Sequence, residues 1–279
     1  MRALVLLLAM TSPCWGAWTA QTGVCTAQSK SANTSLACTV ATANMAAGSI
    51  TALCWAGDNT ATVDGNDQLL TGVSDSKGNP WTLPRCFTNG QGSAGTGATA
   101  CISFGTINRI LTSATDTITT TYSSITAKGF TTKNFTITAG NGIKLIGTPA
   151  DVANDGADPG SLNDTSVASA EHLWFRCTAL ERPTASTWTV TTNFTTVACN
   201  GTTSGTATNM DACAEFRIFT GTTNASDPTG TSVDNASTYR VVDEIAPVSR
   251  MDRFSISQLG RRVWEGLFVS PAQAMGVGR

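Results

Sequence analysis

The sequence predicts an all-β protein, an antiparallel β-sandwich or jelly roll with a short C-terminal helix. Three observations carry that expectation. Short runs of β-branched and aromatic residues recur between Gly, Asn and Asp turns. Thr dominates the polar residues, and its branched side chain suits the solvent face of a strand. Lys and Glu are few beside abundant Gly and Asn, a composition that disfavours long helices.

The elements follow in order. Residues 36–41 alternate loosely, and the apolar run 50–56 predicts a buried strand. Residues 69–74 lead into Asp75-Ser76-Lys77-Gly78-Asn79-Pro80, a strong turn signal, with 81–83 as the return strand. Strands are expected at 100–107, 129–138 and 144–146. The stretch 116–122 places Ile118, Thr120 and Tyr122 on one face. Residues 149–168, rich in Asp, Asn, Gly and Pro, read as an exposed loop. Strands resume at 172–180, 187–192, 195–199, 212–220 and 239–245. In 252–279, Ile256, Leu259, Val263 and Leu267 recur at helical spacing, which predicts a short packed helix.

The chain opens with Met1-Arg2, an apolar run over residues 3–10, and then Thr11-Ser12-Pro13-Cys14 before small residues. That is the layout of a secretory signal peptide. The run is shorter than the ~20 residues a spanning helix needs. Cleavage is expected after Gly16 or Ala17, with Ala20 as an alternative. The expected organisation is therefore a signal peptide at 1–17, a first half at 18–148, a loop at 149–168, a second half at 169–247 and a helical tail at 248–279.

Of the 9 cysteines, Cys14 would leave with the signal, and an even set remains. No C-x-x-C pair occurs and His172 is the one histidine, so a zinc site is disfavoured and disulfides are the better account. The order Cys, Trp-Thr, Cys, Gly/Thr-rich loop, Cys, Phe occurs twice. It is Cys54, Trp81-Thr82, Cys86, Cys101, Phe104 first, then Cys177, Trp188-Thr189, Cys199, Cys213, Phe216. Such self-similarity suggests a duplicated β unit and two related halves. It also suggests a pairing. Cys86–Cys101 and Cys199–Cys213 would each staple a hairpin, Cys54–Cys177 would join the halves, and Cys25–Cys38 would close an N-terminal loop.

Charged residues make up 13% of the chain and the formal net charge is -2, so no basic face is available for nucleic acid. A hydrophobic content of 41% excludes a disordered acidic tail. A Ser-His-Asp triad would have only His172 to use, and no G-x-S-x-G elbow presents a nucleophile. Glycoside hydrolysis needs two flanking acids. The glutamates Glu171, Glu181, Glu215, Glu244 and Glu265 are scattered, and Glu215 beside Arg217 reads as an ion pair. No catalytic residue is assigned.

Asp58, Asp64, Asn66 and Asp67 gather oxygen ligands in one segment, a calcium candidate without EF-hand spacing. The plainer reading there is a solvated turn, and no other cofactor is expected. Trp81 and Trp188 read as core anchors rather than sugar-stacking platforms. Asn-x-Ser/Thr sequons stand at Asn33, Asn134, Asn163, Asn193, Asn200, Asn224 and Asn235.

Four segments carry a resemblance: AGDNTATVDGNDQLLTGVSDSKGNPWT (56–82), FTNGQGSAGTGAT (87–99), NDGADPGSL (154–162) and FRIFTGTTNASDPT (216–229). They are similar to stretches of uncharacterised Thr/Gly-rich β-sandwich proteins of environmental bacteriophage and bacterial genomes. The resemblance implies a jelly-roll-like surface module of a virion or cell, with no active site to carry over.

The expectation is a non-enzymatic extracellular or virion-surface module, structural or adhesive, contacting a glycan or protein partner. Secretion or a periplasmic location follows from the leader and the cysteines, with a virion surface as the alternative. Two other readings remain open: a secreted carbohydrate-active enzyme or its binding domain, and a self-associating subunit of a filament or surface layer.

Overall fold

The structure, a computed structural model, describes residues 18–65, 68–91, 97–156, 158–164, 170–182, 187–203 and 209–245. The expected leader at 1–17 and the expected helix in 248–279 lie outside the described residues. What is described is all β, in several antiparallel sheets packed together. Among the described residues no helix is long and apolar enough to cross a membrane.

Nine strands make the first half: β1 (Thr19–Ala20), β2 (Thr26–Ser29), β3 (Asn33–Thr39), β4 (Ser49–Asp58), β5 (Leu70–Asp75), β6 (Arg85–Asn89), β7 (Ala98–Ile107), β8 (Thr117–Ile125) and β9 (Lys128–Thr136). Nine more make the second: β10 (Gly142–Asn154), β11 (Leu162–Asp164), β12 (Ala170–Arg182), β13 (Trp188–Thr189), β14 (Thr195–Gly201), β15 (Asn209–Gly221), β16 (Asn224–Ser226), β17 (Thr229–Gly230) and β18 (Asp234–Ile245).

The first large sheet has the order β1-β9-β4-β7-β6, with β2 continuing β1 along the same edge of β9. A smaller sheet, β3-β8-β5, backs it. The second half repeats the scheme as β10-β18-β12-β15-β14, backed by the ladders β11-β16 and β13-β17. Replacing β8 by the pair β16 and β17 converts one half into the other. First strand beside last, last beside third-in, is the wiring of a jelly roll. The halves are two jelly rolls, and their large sheets face each other.

The register of the two halves matches at the level of single residues. Trp55, one after Cys54, lies opposite Cys101 across β4 and β7. Thr178, one after Cys177, lies opposite Cys213 across β12 and β15. The sheet contacts are reciprocal too: β7 packs on β18 as β15 packs on β9, and β4 packs on β12.

Layering explains the strand sequences. The middle core, between the large sheets, holds Ile50, Phe104, Phe135, Phe175, Met210 and Phe216. A second core under β3-β8-β5 holds Leu53, Trp55, Leu70, Ile118, Tyr122 and Phe130. A third, smaller one in the second half holds Leu162, Trp174, Phe194, Tyr239 and Val241. Strand β4 is therefore buried on both faces and reads as a continuous apolar run rather than an alternation.

The region 149–168 departs from its expected character. Residues up to Asn154 belong to β10, which pairs with β18 in register, and Leu162–Asp164 form β11. The bulge between Ile146 and Ala150 accommodates Gly147 and Pro149 on this edge strand, where a missing N–H is tolerated. Because β10 pairs with β18, the strand expected at 144–146 opens the second half instead of closing the first. The boundary between the halves precedes Gly142, not residue 149.

The halves approach closely where β14 meets β9. A Cβ on Gly129 would stand 2.7 Å from the backbone oxygen of Asn200, and Asn200 Nδ2 donates to Ala27 O and Phe130 O. Backbone atoms there have no flexible end to move aside. Gly129→Ala is expected to destabilise the chain by ~1–3 kcal/mol through overpacking. A denaturant titration checks it, and an unchanged midpoint would mean that the sheets slide apart freely.

Candidate functional site

The four disulfides join Cys25 to Cys38, Cys54 to Cys177, Cys86 to Cys101 and Cys199 to Cys213, the pairing suggested by the repeat. They are consistent with an oxidising extracellular or periplasmic environment. Cys86–Cys101 and Cys199–Cys213 staple β6 to β7 and β14 to β15, while Cys54–Cys177 crosses the middle core.

The calcium candidates do not form one described cluster. Asp58 ends β4, where burial raises its carboxyl above the usual range. Asp64 Oδ1 instead accepts the Gly90 N–H. Asn66 and Asp67 lie outside the described residues. Among the described residues no group of three or more His, Cys, Asp or Glu is placed to hold a metal ion.

His172 is buried on β12 with Nδ1 3.4 Å from Asp243 of β18. Trp81 Nε1 donates to Asp75 Oδ2 at 2.8 Å, which fixes the ring against the turn after β5. Gly105 leaves the room that ring needs, since a Cβ there would stand 2.7 Å from it. Gly78 takes a φ of 69° in the same turn, the left-handed conformation that glycine adopts at no steric cost.

The expected Glu215–Arg217 ion pair gives way to two separate arrangements. Glu215 accepts from Thr191 N and Oγ1 and from Ser226 Oγ. Arg217 donates to Asn224 Oδ1 and stacks on Phe219 at 4.0 Å. The two side chains serve different neighbours although they project from the same face of β15.

Sequence reasoning missed a fully buried cation. Arg176 on β12 is fully buried between the second large sheet and β16. It donates to Ser226 O and Oγ, Gly160 O, Ser237 Oγ and Thr178 Oγ1. Burial pulls its guanidinium down to about 10, and the charges of Glu215 and Asp227 partly oppose this. Tyr239 completes the cluster by donating to Asn224 O, and burial raises its phenol well above the ordinary value. Chemically, the cluster holds β11 and β16 onto the large sheet. In the sequence, Arg176 stands between Phe175 and Cys177 like any alternating polar residue, which is why it gave no signal.

The sequons divide by accessibility. Asn134 Nδ2 donates inward to Ser49 Oγ, Ile50 O and Thr51 Oγ1, and Asn224 and Asn235 are buried. Asn33 and Asn200 are half-buried, with side chains bonded to Tyr122 and to the β2–β9 edge. Asn163 and Asn193 are exposed.

Two surface features are built rather than incidental. The first is formed by residues 154–156 and 158–160. Asn154 Nδ2 donates to Asp158 O, Gly230 N–H donates to Asp158 Oδ1, and Ser232 Oγ and Asn235 Nδ2 donate to Gly156 O. These bonds pin the loop to the turn before β18 and leave Asp155 exposed.

The second is the outer face of β3-β8-β5. Its corner is held by Asp116, which accepts from Thr112 N and Ser76 Oγ and lies 3.1 Å from Lys77 Nζ. The Thr112 N–H, then the Ser76 hydroxyl and Lys77, pull its carboxyl down to about 2. A depressed carboxyl stabilises above its ordinary value of 3.8, and the contribution disappears as pH falls to about 2. Asp116→Asn should therefore melt earlier than the parent chain at neutral pH and together with it near pH 2. A gap that persists in acid would assign the effect to packing.

Taken together, the fold and these features define a disulfide-stapled double jelly roll of four sheet layers. Comparison with protein-family models, curated proteins and solved structures finds no match for the chain.

Proposed function

We propose that the chain is a non-catalytic extracellular or virion-surface module, structural and adhesive, whose loops contact a glycan or protein partner. The observation that carries this reading is the pinning of residues 154, 156 and 158 on a disulfide-stapled scaffold. A loop ordered before contact loses less entropy on binding, so a small polar surface suffices for recognition. The buried polar cluster around Arg176 supports the same reading, because its acid, Glu215, is already bonded three times in holding sheet layers together.

The full oxidised chain and its Asp155→Lys variant, applied to immobilised glycans and cell-surface proteins, test the proposal. Binding that the variant weakens about tenfold, ~1.4 kcal/mol, is the expected result. Turnover of a bound glycan would replace it with the enzyme reading, and binding untouched by Asp155→Lys would remove the loop from it.

A further inference from the structure

From the outer face of the β3-β8-β5 sheet we infer a second activity: adsorption to a crystalline water surface, that is, to ice. The inference goes beyond the adhesion reading and does not depend on it.

The face is a three-by-three grid set by strand register. Thr39, Thr117 and Ser76 form one row, Ala37, Thr119 and Ser74 the next, and Ser35, Thr121 and Gly72 the third. Seven of nine positions carry a hydroxyl, and none carries a charge or a side chain larger than Thr. Across strands the rows repeat at ~4.8 Å, and along each strand alternate residues repeat at ~6.7 Å. The opposite face of the same strands is occupied by Leu36, Cys38, Ile118, Tyr122, Leu70 and Val73, which fixes the grid outward. A one-residue slip would bury it, so the register is strongly specified.

A separate observation concerns what the hydroxyls do. Several Thr hydroxyls elsewhere are engaged within the protein: Thr120 with Leu36 O, Thr88 with Thr99, Thr132 with Cys25 O, Thr191 with Glu215. Among the described residues, the one grid hydroxyl with a bond is that of Ser76, which donates to Asp116 Oδ1 and accepts the Thr117 N–H. The hydroxyls of Ser35, Thr39, Ser74, Thr117, Thr119 and Thr121 make no bond among the described residues. Six donors and acceptors are thus presented together in two dimensions.

The chemistry of the face selects its ligand. Sugar recognition draws on aromatic surface and on placed amide or charged groups, and the grid has neither. With no charge, it has nothing to complement an ionic partner. What matches it is an uncharged surface of hydrogen-bonding oxygens that itself repeats in two dimensions. The β-branched threonines hold few χ1 rotamers, so the array is ordered before contact and little entropy is lost in binding an ordered lattice. Their methyl groups, with Ala37, fill the spaces between hydroxyls, where first-shell water is held in place rather than displaced.

Partition of the full oxidised chain into a slowly growing ice hemisphere tests this. The parent chain should enter the ice. Thr121→Lys and, independently, Ser74→Lys on the edge strand should lower that incorporation by at least about tenfold. Thr196→Lys, at an exposed threonine of β14 remote from the grid, should leave it unchanged. Melting midpoints of all three keep loss of fold apart from loss of the face, and Ser74, exposed on an edge, tolerates the change if Thr121 does not. Exclusion of the parent chain from ice overturns the inference, as does equal incorporation of every variant. Capture on crystalline polysaccharide that the two grid variants abolish, with no entry into ice, also overturns it and turns the face over to glycan adhesion.

Discussion

Replacing Cys54 and Cys177 together by alanine should destabilise the chain by ~4 kcal/mol, the largest single effect expected of any covalent change. The bond spans 123 residues of sequence, far more than the 13 to 15 spanned by the other three. In the chain-entropy model the cost of leaving an unfolded chain unclosed grows with loop length, slowly but steadily. Both sulfurs lie in the middle core with no exposure, so the alanines also leave a small void. The surrounding contacts between β4 and β12 persist, so the native sheets should still pair, with a lower guanidinium midpoint. A loss below ~1 kcal/mol would mean that packing between the large sheets already restricts the unfolded ensemble. The shorter Cys199–Cys213 bond provides the comparison, and its removal should cost less.

Arg176→Met should cost ~3–5 kcal/mol, because a buried charge network loses one partner and keeps the other. The substitution matches the arginine stem in length, so packing is largely kept. It leaves Ser226 O, Gly160 O and Ser237 Oγ without the guanidinium donor, and Glu215 without the buried positive charge of Arg176. The damage should be local. Amide exchange is expected to rise across β11 and β16, while β4, β7 and β9 of the other half stay protected. Adding Glu215→Gln to Arg176→Met should recover part of the loss, since a neutral amide needs no counter-charge. If the single variant melts with the parent chain, the network contributes specificity and not stability. A uniform rise in exchange over both halves would show that the halves unfold as one unit.

How much of this could be read from residues alone depends on range. The order of cysteines was legible, and so was their pairing, because each hairpin staple sits close to its partner in sequence and the two leftover cysteines occupy like places. The all-β character followed from Thr-rich alternation and Gly/Asn turns. The layering was not legible. A strand buried on both faces, such as β4, shows an apolar run that says nothing about which sheet covers which side. Asp151 illustrates the failure over 149–168: it sits in a run of turn-forming residues, yet it is an interior strand position paired with Arg85 of the other half. Only the tertiary partner makes an acid acceptable there. The hydroxyl grid was half visible. Placing Ile118, Thr120 and Tyr122 on one face leaves Thr117, Thr119 and Thr121 on the other, but nothing local aligns these with Ser35, Ala37 and Thr39, or with Gly72, Ser74 and Ser76. Arg176 was invisible for the same reason, since all its acceptors but Thr178 lie 16 to 61 residues away.

The bond between Cys54 and Cys177 lies where the two halves meet symmetrically. It joins like positions of the two halves, across an interface in which each half offers the other the same surface. That is the geometry of an isologous dimer, where a residue near the two-fold axis meets its own counterpart. The chain thus holds within one molecule the kind of contact that two separate subunits would seal through an intersubunit cystine. A freed half, expressed alone and oxidised, should accordingly find its own twin.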